Sequence, residues 1–191
     1  VARGVEVVAV EPVRAMRMAL QRSLPHTPLV AATSEALPLV DGAVGAAVVA
    51  QAFHWFDHWP ALAEIARVVR PGGPLVTLWN VRDESVGWVA DYTTIMNDHA
   101  GDAPRYATMR WRDEIVADGR WTLESELEAP NPQPSGPDQL VERALSTSFI
   151  AALDPQRQTR VAERIRALVA PLGPAFDHPY RTVAQIWAAR P

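Results

Sequence analysis

Residues 31–80 constrain this chain more than any other stretch, because they read in order as strand end, acidic turn, strand, aromatic loop, helix, Pro-Gly-Gly turn and strand. A strand that returns through a helix to a neighbouring strand is the parallel βαβ unit, whose buried strands are near-continuous apolar runs. Residues 43–50 form such a run, with no charge in it. At its exit Phe53, His54, Trp55, Phe56 and Trp59 crowd one loop, in a chain with only 7% aromatic residues. An aromatic cluster at the carboxyl end of a parallel strand points to a ligand crevice.

The flanking sequence continues the alternation. Residues 5–10 are a β-branched run ending at Glu11-Pro12. Val13, Met16, Ala19, Leu20 and Leu24 then recur at helical spacing up to Pro25. Residues 29–32 read as a second strand, followed by the turn Thr33-Ser34-Glu35 and the break Leu37-Pro38. Leu62, Ile65, Ala66 and Val69 line one face of a helix with Asp57 as N-cap and Pro60 in its first turn. Pro71-Gly72-Gly73 stops it, and residues 74–80 form a fourth strand.

The second half has a different texture. Trp88, Val89, Tyr92, Ile95 and Met96 make an apolar helical face, and residues 98–112 show no clear period. Trp121, Leu123, Ser125 and Leu127 alternate with Thr122, Glu124, Glu126 and Glu128, as in a strand with one wet face. Residues 130–137 carry four prolines and read as a loop. Asp138 opens a short helix through Leu145, and Asp154-Pro155 opens another that turns Val161, Ile165, Leu168 and Val169 inward. A last strand covers residues 182–188. The predicted fold is α/β, a doubly wound, mostly parallel sheet with helical lid insertions. It forms one domain over residues 1–191, with 81–120 as a candidate lid or substrate segment.

Composition narrows the function. At 191 residues and 48% hydrophobic the chain can bury a sizeable core. A net charge of −4 gives no electrostatic footprint for nucleic acid or an anionic membrane, and its 18 basic residues, all arginine, are scattered. The absence of cysteine excludes disulfides, thiolate catalysis and cysteine metal sites. No apolar run approaches the roughly 18 residues that span a bilayer, and nothing reads as a secretory signal. The expectation is a cytoplasmic protein with a small-molecule partner. The start, Val1-Ala2-Arg3-Gly4, reads as the last turn of a helix closed by glycine, so more sequence is expected upstream.

An acidic residue at the end of a buried strand, here Glu11, can accept hydrogen bonds from two ribose hydroxyls, or can simply be a solvated strand end. Around it the chain resembles the class I S-adenosylmethionine-dependent methyltransferases of the type 11 domain, a small-molecule group. The matching landmarks are Val7-Val8-Ala9-Val10-Glu11-Pro12 with Met16, Ala32-Thr33-Ser34-Glu35-Ala36-Leu37-Pro38, Val48-Val49-Ala50-Gln51-Ala52-Phe53-His54-Trp55-Phe56, and Arg67-Val68-Val69-Arg70-Pro71-Gly72-Gly73.

The resemblance implies S-adenosylmethionine as cofactor and methyl transfer to a small-molecule acceptor. It implies that Glu11 holds the ribose hydroxyls, that Pro12 and Met16 pack near adenine and ribose, and that Thr33 and Ser34 meet the adenine edge. The family often has aspartate where Thr33 stands, and Glu35 is the nearby acidic substitute or a surface residue. Gln51 and Ala52 would offer main-chain groups to the methionine portion. His54 is the one candidate base, and more simply reads as a histidine hydrogen-bonded within a packed aromatic loop. Trp55, Trp79 and Asn80 are candidate acceptor contacts. His54 and His58 lie four apart beside Asp57, but no further ligand completes a metal site, so no metal is expected.

One departure stands out: the family's glycine-rich loop is absent from the 191 residues. In the family the strand before that loop lies at the centre of the sheet. Without it, two rows of backbone groups lose their partners, so either the polypeptide extends upstream or this version binds cofactor weakly. Two other classes fit parts of the sequence. A nicotinamide-dependent oxidoreductase would also place an acid at Glu11, but gives no reason for the His54-Trp55-Phe56 loop. A non-catalytic methyltransferase-like binding module would account for the missing loop.

Overall fold

The computed structural model describes residues 4–103 and 106–190; the helical turn expected at Val1-Ala2-Arg3 lies outside them. Strand β1 (Ala9–Val10) pairs in parallel with β2 (Leu29–Val30), Ala9 opposite Leu29 and Val10 opposite Val30. Helix α1 (Arg14–Ser23) makes the crossover between them. Both strands are shorter than their apolar runs, because a residue counts as strand only where a ladder partner faces it. Helix α1 buries none of its residues, and Met16 and Met18 are exposed.

A second sheet has the order β3 (Ala47–Ala50), β4 (Leu75–Arg82), β8 (Tyr180–Ala189), β5 (Trp121–Pro130). Strands β3 and β4 are parallel: Val44 bridges Val69, and Ala47 N–H donates to Pro74 O at 3.0 Å. Strand β8 runs against both neighbours. Asp83 N–H donates to Pro179 O while Thr77 meets Gln185. On its other side Arg190 N–H donates to Arg120 O and Asn131 N–H to Tyr180 O. The α/β Rossmann-like architecture is therefore present, parallel at β1–β2 and β3–β4, with one reversed strand.

A third ladder was not expected. Strands β6 (Gln133–Ser135) and β7 (Phe176–His178) pair antiparallel, so the proline-rich stretch read as loop contains a strand. Pro134 has no N–H to give, which a short edge strand tolerates.

Helix α2 (His58–Val68) follows the aromatic loop with Asp57 at its N-cap position, although the Asp57 side chain makes no capping bond. It buries Ala61, Leu62, Ile65 and Val68. The Pro-Gly-Gly turn after it is there for space: a Cβ on Gly73 would lie 2.5 Å from Gly45 O and 2.6 Å from a Val69 methyl. Only glycine lets the two segments approach so closely.

Helix α3 (Gly87–Asn97) matches its expected apolar face. Helix α4 (Arg110–Asp118) begins in the last residues of the stretch that showed no period, and buries only Trp111 and Ile115. Helix α5 (Pro137–Leu145) starts from Gly136, which places Asp138 inside the first turn rather than at the cap. Short α6 (Ser148–Ala151) leads to α7 (Pro155–Val169), where Asp154 accepts from Arg157 N–H at 2.9 Å as the cap. Among the described residues no helix is long and apolar enough to cross a membrane.

The chain divides into two compact units, and the 81–120 segment is shared between them. The first takes the described residues of Val1–Thr77, Met109–Ser125 and Gln185–Pro191. Its core holds Phe53, Leu62, Ile65, Leu75, Trp111, Ile115, Trp121 and Trp187, each 3% exposed or less. Within it Trp187 Nε1 donates to Thr77 Oγ1 and Thr77 donates to Gln185 Oε1, so these buried polar groups are satisfied. The second unit comprises the described residues of Leu78–Thr108 and Glu126–Ala184. Its core packs α7 against α3 and α5 through Tyr92, Ile95, Met96, Leu140, Ala144, Val161 and Ile165.

Candidate active site

Three loops of the first unit, each following a strand, carry most of the residues singled out above. After β1, Glu11 is half-buried, and its Oε1 accepts the backbone N–H of Val13 at 2.8 Å. That bond fixes the carboxylate over the start of α1. Its second oxygen, Oε2, has no protein partner among the described residues. Pro12 and Met16 are exposed, the latter by 58%.

After β2 comes the turn Thr33-Ser34-Glu35. Ser34 Oγ donates to Glu35 Oε1 at 2.7 Å, and the same oxygen accepts Asp57 N–H at 3.1 Å. The turn after β2 is thereby tied to the start of α2. Burial opposes ionisation of Glu35, but hydrogen bonds from Ser34, Thr33 and backbone N–H groups outweigh it and lower its pKa.

After β3, Gln51 sits at φ 54°, in the left-handed region that favours glycine. A non-glycine residue there costs on the order of 1 kcal/mol, and such strain clusters at functional sites. Ala52 precedes a 3-10 turn, Phe53–Trp55. Phe53 is fully buried and stacks on His58 with ring centroids 5.1 Å apart. His54 is half-buried with its ring 4.9 Å from that of Trp55, and Trp55 is 57% exposed. Burial lowers the His54 pKa, and the charge of nearby His58 adds to the shift. A neutral imidazole at neutral pH follows, the form that can accept a proton.

Trp79 and Asn80 belong to the second unit. Trp79 is fully buried and packs on Tyr106, so its side chain shapes the interior rather than offering a free surface. Asn80 is exposed, but its side-chain oxygen accepts from Thr182 Oγ1 at 2.7 Å and Asn131 Nδ2 at 3.1 Å. It joins β4 to β8 and to the turn between β5 and β6.

Sequence comparison identifies the chain. The model of a methyltransferase-domain family matches residues 1–77. An uncharacterized methyltransferase of Mycobacterium tuberculosis is 36% identical over 170 residues, which cover 89% of this chain and 67% of that protein. The chain belongs to the class I S-adenosylmethionine-dependent methyltransferases. An uncharacterized methyltransferase-like protein of Schizosaccharomyces pombe is 34% identical over 114 residues, 60% of this chain and 44% of its own length. Among solved structures, a putative type II methyltransferase from Anaeromyxobacter dehalogenans superposes with a TM-score of 0.65 at 24% identity, covering 99% of this chain and 82% of that one. That likeness shows the fold. Family membership decides against the oxidoreductase reading.

The methyltransferase also contains contacts that the sequence did not reveal. His58 is gripped at both ring nitrogens: Nδ1 pairs with Glu114 of α4, and Nε2 donates to Phe53 O at 3.1 Å. His58 therefore anchors the aromatic loop to α4. Arg67 donates to Leu37 O, Leu39 O, Asp41 and Glu64, while Glu64 accepts Leu37 N–H. This explains why an arginine stands in the Arg67-Val68-Val69-Arg70 landmark: it fastens the loop between β2 and β3 to α2. No local sequence pattern announces either network, since each also depends on partners 26 to 56 positions away. Among the described residues no group of three or more metal-ligating side chains converges.

Proposed function

We propose that this methyltransferase carries the methyl group of S-adenosylmethionine to a small-molecule acceptor. The observation that carries the reading is Glu11: a carboxylate fixed at the carboxyl end of a parallel strand by Val13 N–H, with Oε2 left to accept. That donor set fits the cofactor's ribose, because a carboxylate only accepts and the ribose hydroxyls can donate. Exposed Pro12 and Met16 lie beside it in sequence and supply apolar surface for the adenine and ribose.

Thr33 and Ser34 meet the adenine edge in this reading, while Glu35 keeps their turn in place. Gln51 and Ala52 offer main-chain groups to the methionine portion, and the strained Gln51 backbone sets their direction. The cofactor supplies an already activated methyl group on a sulfonium, so the protein's task is chiefly alignment. His54, neutral at working pH, takes the proton from an acceptor hydroxyl or acid. Exposed Trp55 offers a wall to the acceptor. The same reading makes the protein cytoplasmic, acting on a free small molecule.

The experiment that tests it is binding of S-adenosylhomocysteine to the Glu11→Ala variant. Affinity should fall at least tenfold, about 1.4 kcal/mol. An unchanged dissociation constant would remove Glu11 from the site and with it the observation on which the reading rests.

A further inference from the structure

A buried imidazole without hydrogen-bond partners calls for an explanation, because buried polar groups in folded proteins are almost always paired. His178, at the end of β7 in the second unit, is 1% exposed, and neither Nδ1 nor Nε2 has a partner among the described residues. Aromatic rings from three elements enclose it: Tyr180 of β8 at 4.5 Å between centroids, and Trp88 and Tyr92 of α3 each at 5.3 Å, with β7 itself adding Phe176 against Trp88.

Two cations complete the cluster. Arg82 of β4 lies over the Tyr92 ring at 5.2 Å, and Arg143 of α5 lies over the Tyr180 ring at 5.5 Å. Stacking uses the flat face of a guanidinium and leaves its N–H edge available. Arg82 spends one N–H on Thr93 Oγ1 at 3.1 Å, and neither arginine is paired with a carboxylate among the described residues. Burial, with the charges of Arg82 and Arg143, lowers the His178 pKa to about 4. At neutral pH its ring therefore presents one donor and one acceptor nitrogen. The cluster combines positive charge without a counter-ion among the described residues, flat apolar walls and two fixed polar atoms. Trp88 and Tyr180 are half-buried and Arg143 is exposed, so its rim is open to solvent.

We propose that the cluster around His178 binds a small planar organic carboxylate, its anion on the edges of Arg82 and Arg143, its ring against Trp88 and Tyr180, and its polar substituent on His178. Charge selects a carboxylate, because two guanidiniums without a carboxylate partner among the described residues offer bidentate donors of matching geometry. Aromatic walls select a flat body. The proposal does not depend on the methyl-transfer reading, since none of these residues is assigned to the cofactor.

The test is an NMR titration of protein carrying 15N-labelled histidine, using benzoate, 4-hydroxybenzoate and indole-3-carboxylate as probes and 4-hydroxybenzamide as the neutral control. The His178 ring signals are assigned by their loss in His178→Phe. At least one carboxylate should shift them and bind at least tenfold more tightly than the amide. Arg143→Gln, at an exposed position where folding is not at stake, should weaken that binding at least tenfold. Equal affinity for acid and amide, binding unaffected by Arg143→Gln, or no shift with any carboxylate would overturn the proposal. The last result, with ring signals in contact with water alone, would make His178 the host of a trapped water.

Discussion

Glu35 Oε1 accepts the backbone N–H of Asp57 at 3.1 Å, so a side chain in the turn after β2 holds the start of α2, 22 positions away. Because hydrogen bonding lowers the Glu35 pKa below 4.5, the ionised form contributes stability above the unfolded pKa, and that contribution is lost as pH falls through the folded value. Glu35→Gln keeps the shape and removes the charge. It should destabilise the protein by about 1 kcal/mol at neutral pH, and by less at about pH 4. Urea denaturation at the two pH values checks this; an equal loss at both would show that the charge is immaterial.

Gly73 and Gly87 should respond in opposite ways to alanine. At Gly73 the new methyl meets Gly45 O at 2.5 Å, so the β3–β4 connection must shift, at a cost of about 1–3 kcal/mol. At Gly87, which opens α3, nothing lies within 4 Å, and alanine should stabilise by up to about 1 kcal/mol through its better helix propensity. Thermal melts of the two variants decide it, and equal destabilisation would contradict the packing argument.

His178 predicts a pH dependence. Its pKa is lowered to about 4 from 6.5, so across that window the unfolded chain binds a proton that the folded chain does not. Stability should then fall with acidification, by at most about 1.4 kcal/mol per pH unit. Arg82 and Arg143, the cations facing it, stay charged throughout and add no slope. In His178→Phe the decline between about pH 6.5 and 4 should flatten; an unchanged profile would place the titrating group elsewhere.

The four landmarks that carry the fold were legible because each depends on local constraints. The run 43–50, the apolar face of α2 and the glycine at position 73 reflect strand burial, helix period and a close backbone approach, and all are visible within a few residues. What stayed hidden depends on distant partners. The apolar run 5–10 yields only Ala9–Val10 as strand, because pairing extends only as far as β2 does. Strand β6 was masked by Pro134, whose partner Asp177 lies 43 positions on. Helix α4 carries just two buried side chains, too few to set a period. Within the candidate site, Glu11, the 33–35 turn and the aromatic loop could be named from their places after strands. The Glu35–Asp57 and His58–Glu114 ties could not, nor could the cluster in which Arg82 and His178, 96 positions apart, meet.

Whether the protein uses S-adenosylmethionine is decided by a calorimetric titration with S-adenosylhomocysteine, with NADH as control. It should be run on this chain and, where its gene encodes residues before Val1, on the longer chain. S-adenosylhomocysteine should bind in the micromolar range, most tightly in any longer form that supplies the glycine-rich loop, and NADH should not bind. Failure of both chains to bind S-adenosylhomocysteine, or binding of NADH by either, would contradict the methyl-transfer reading.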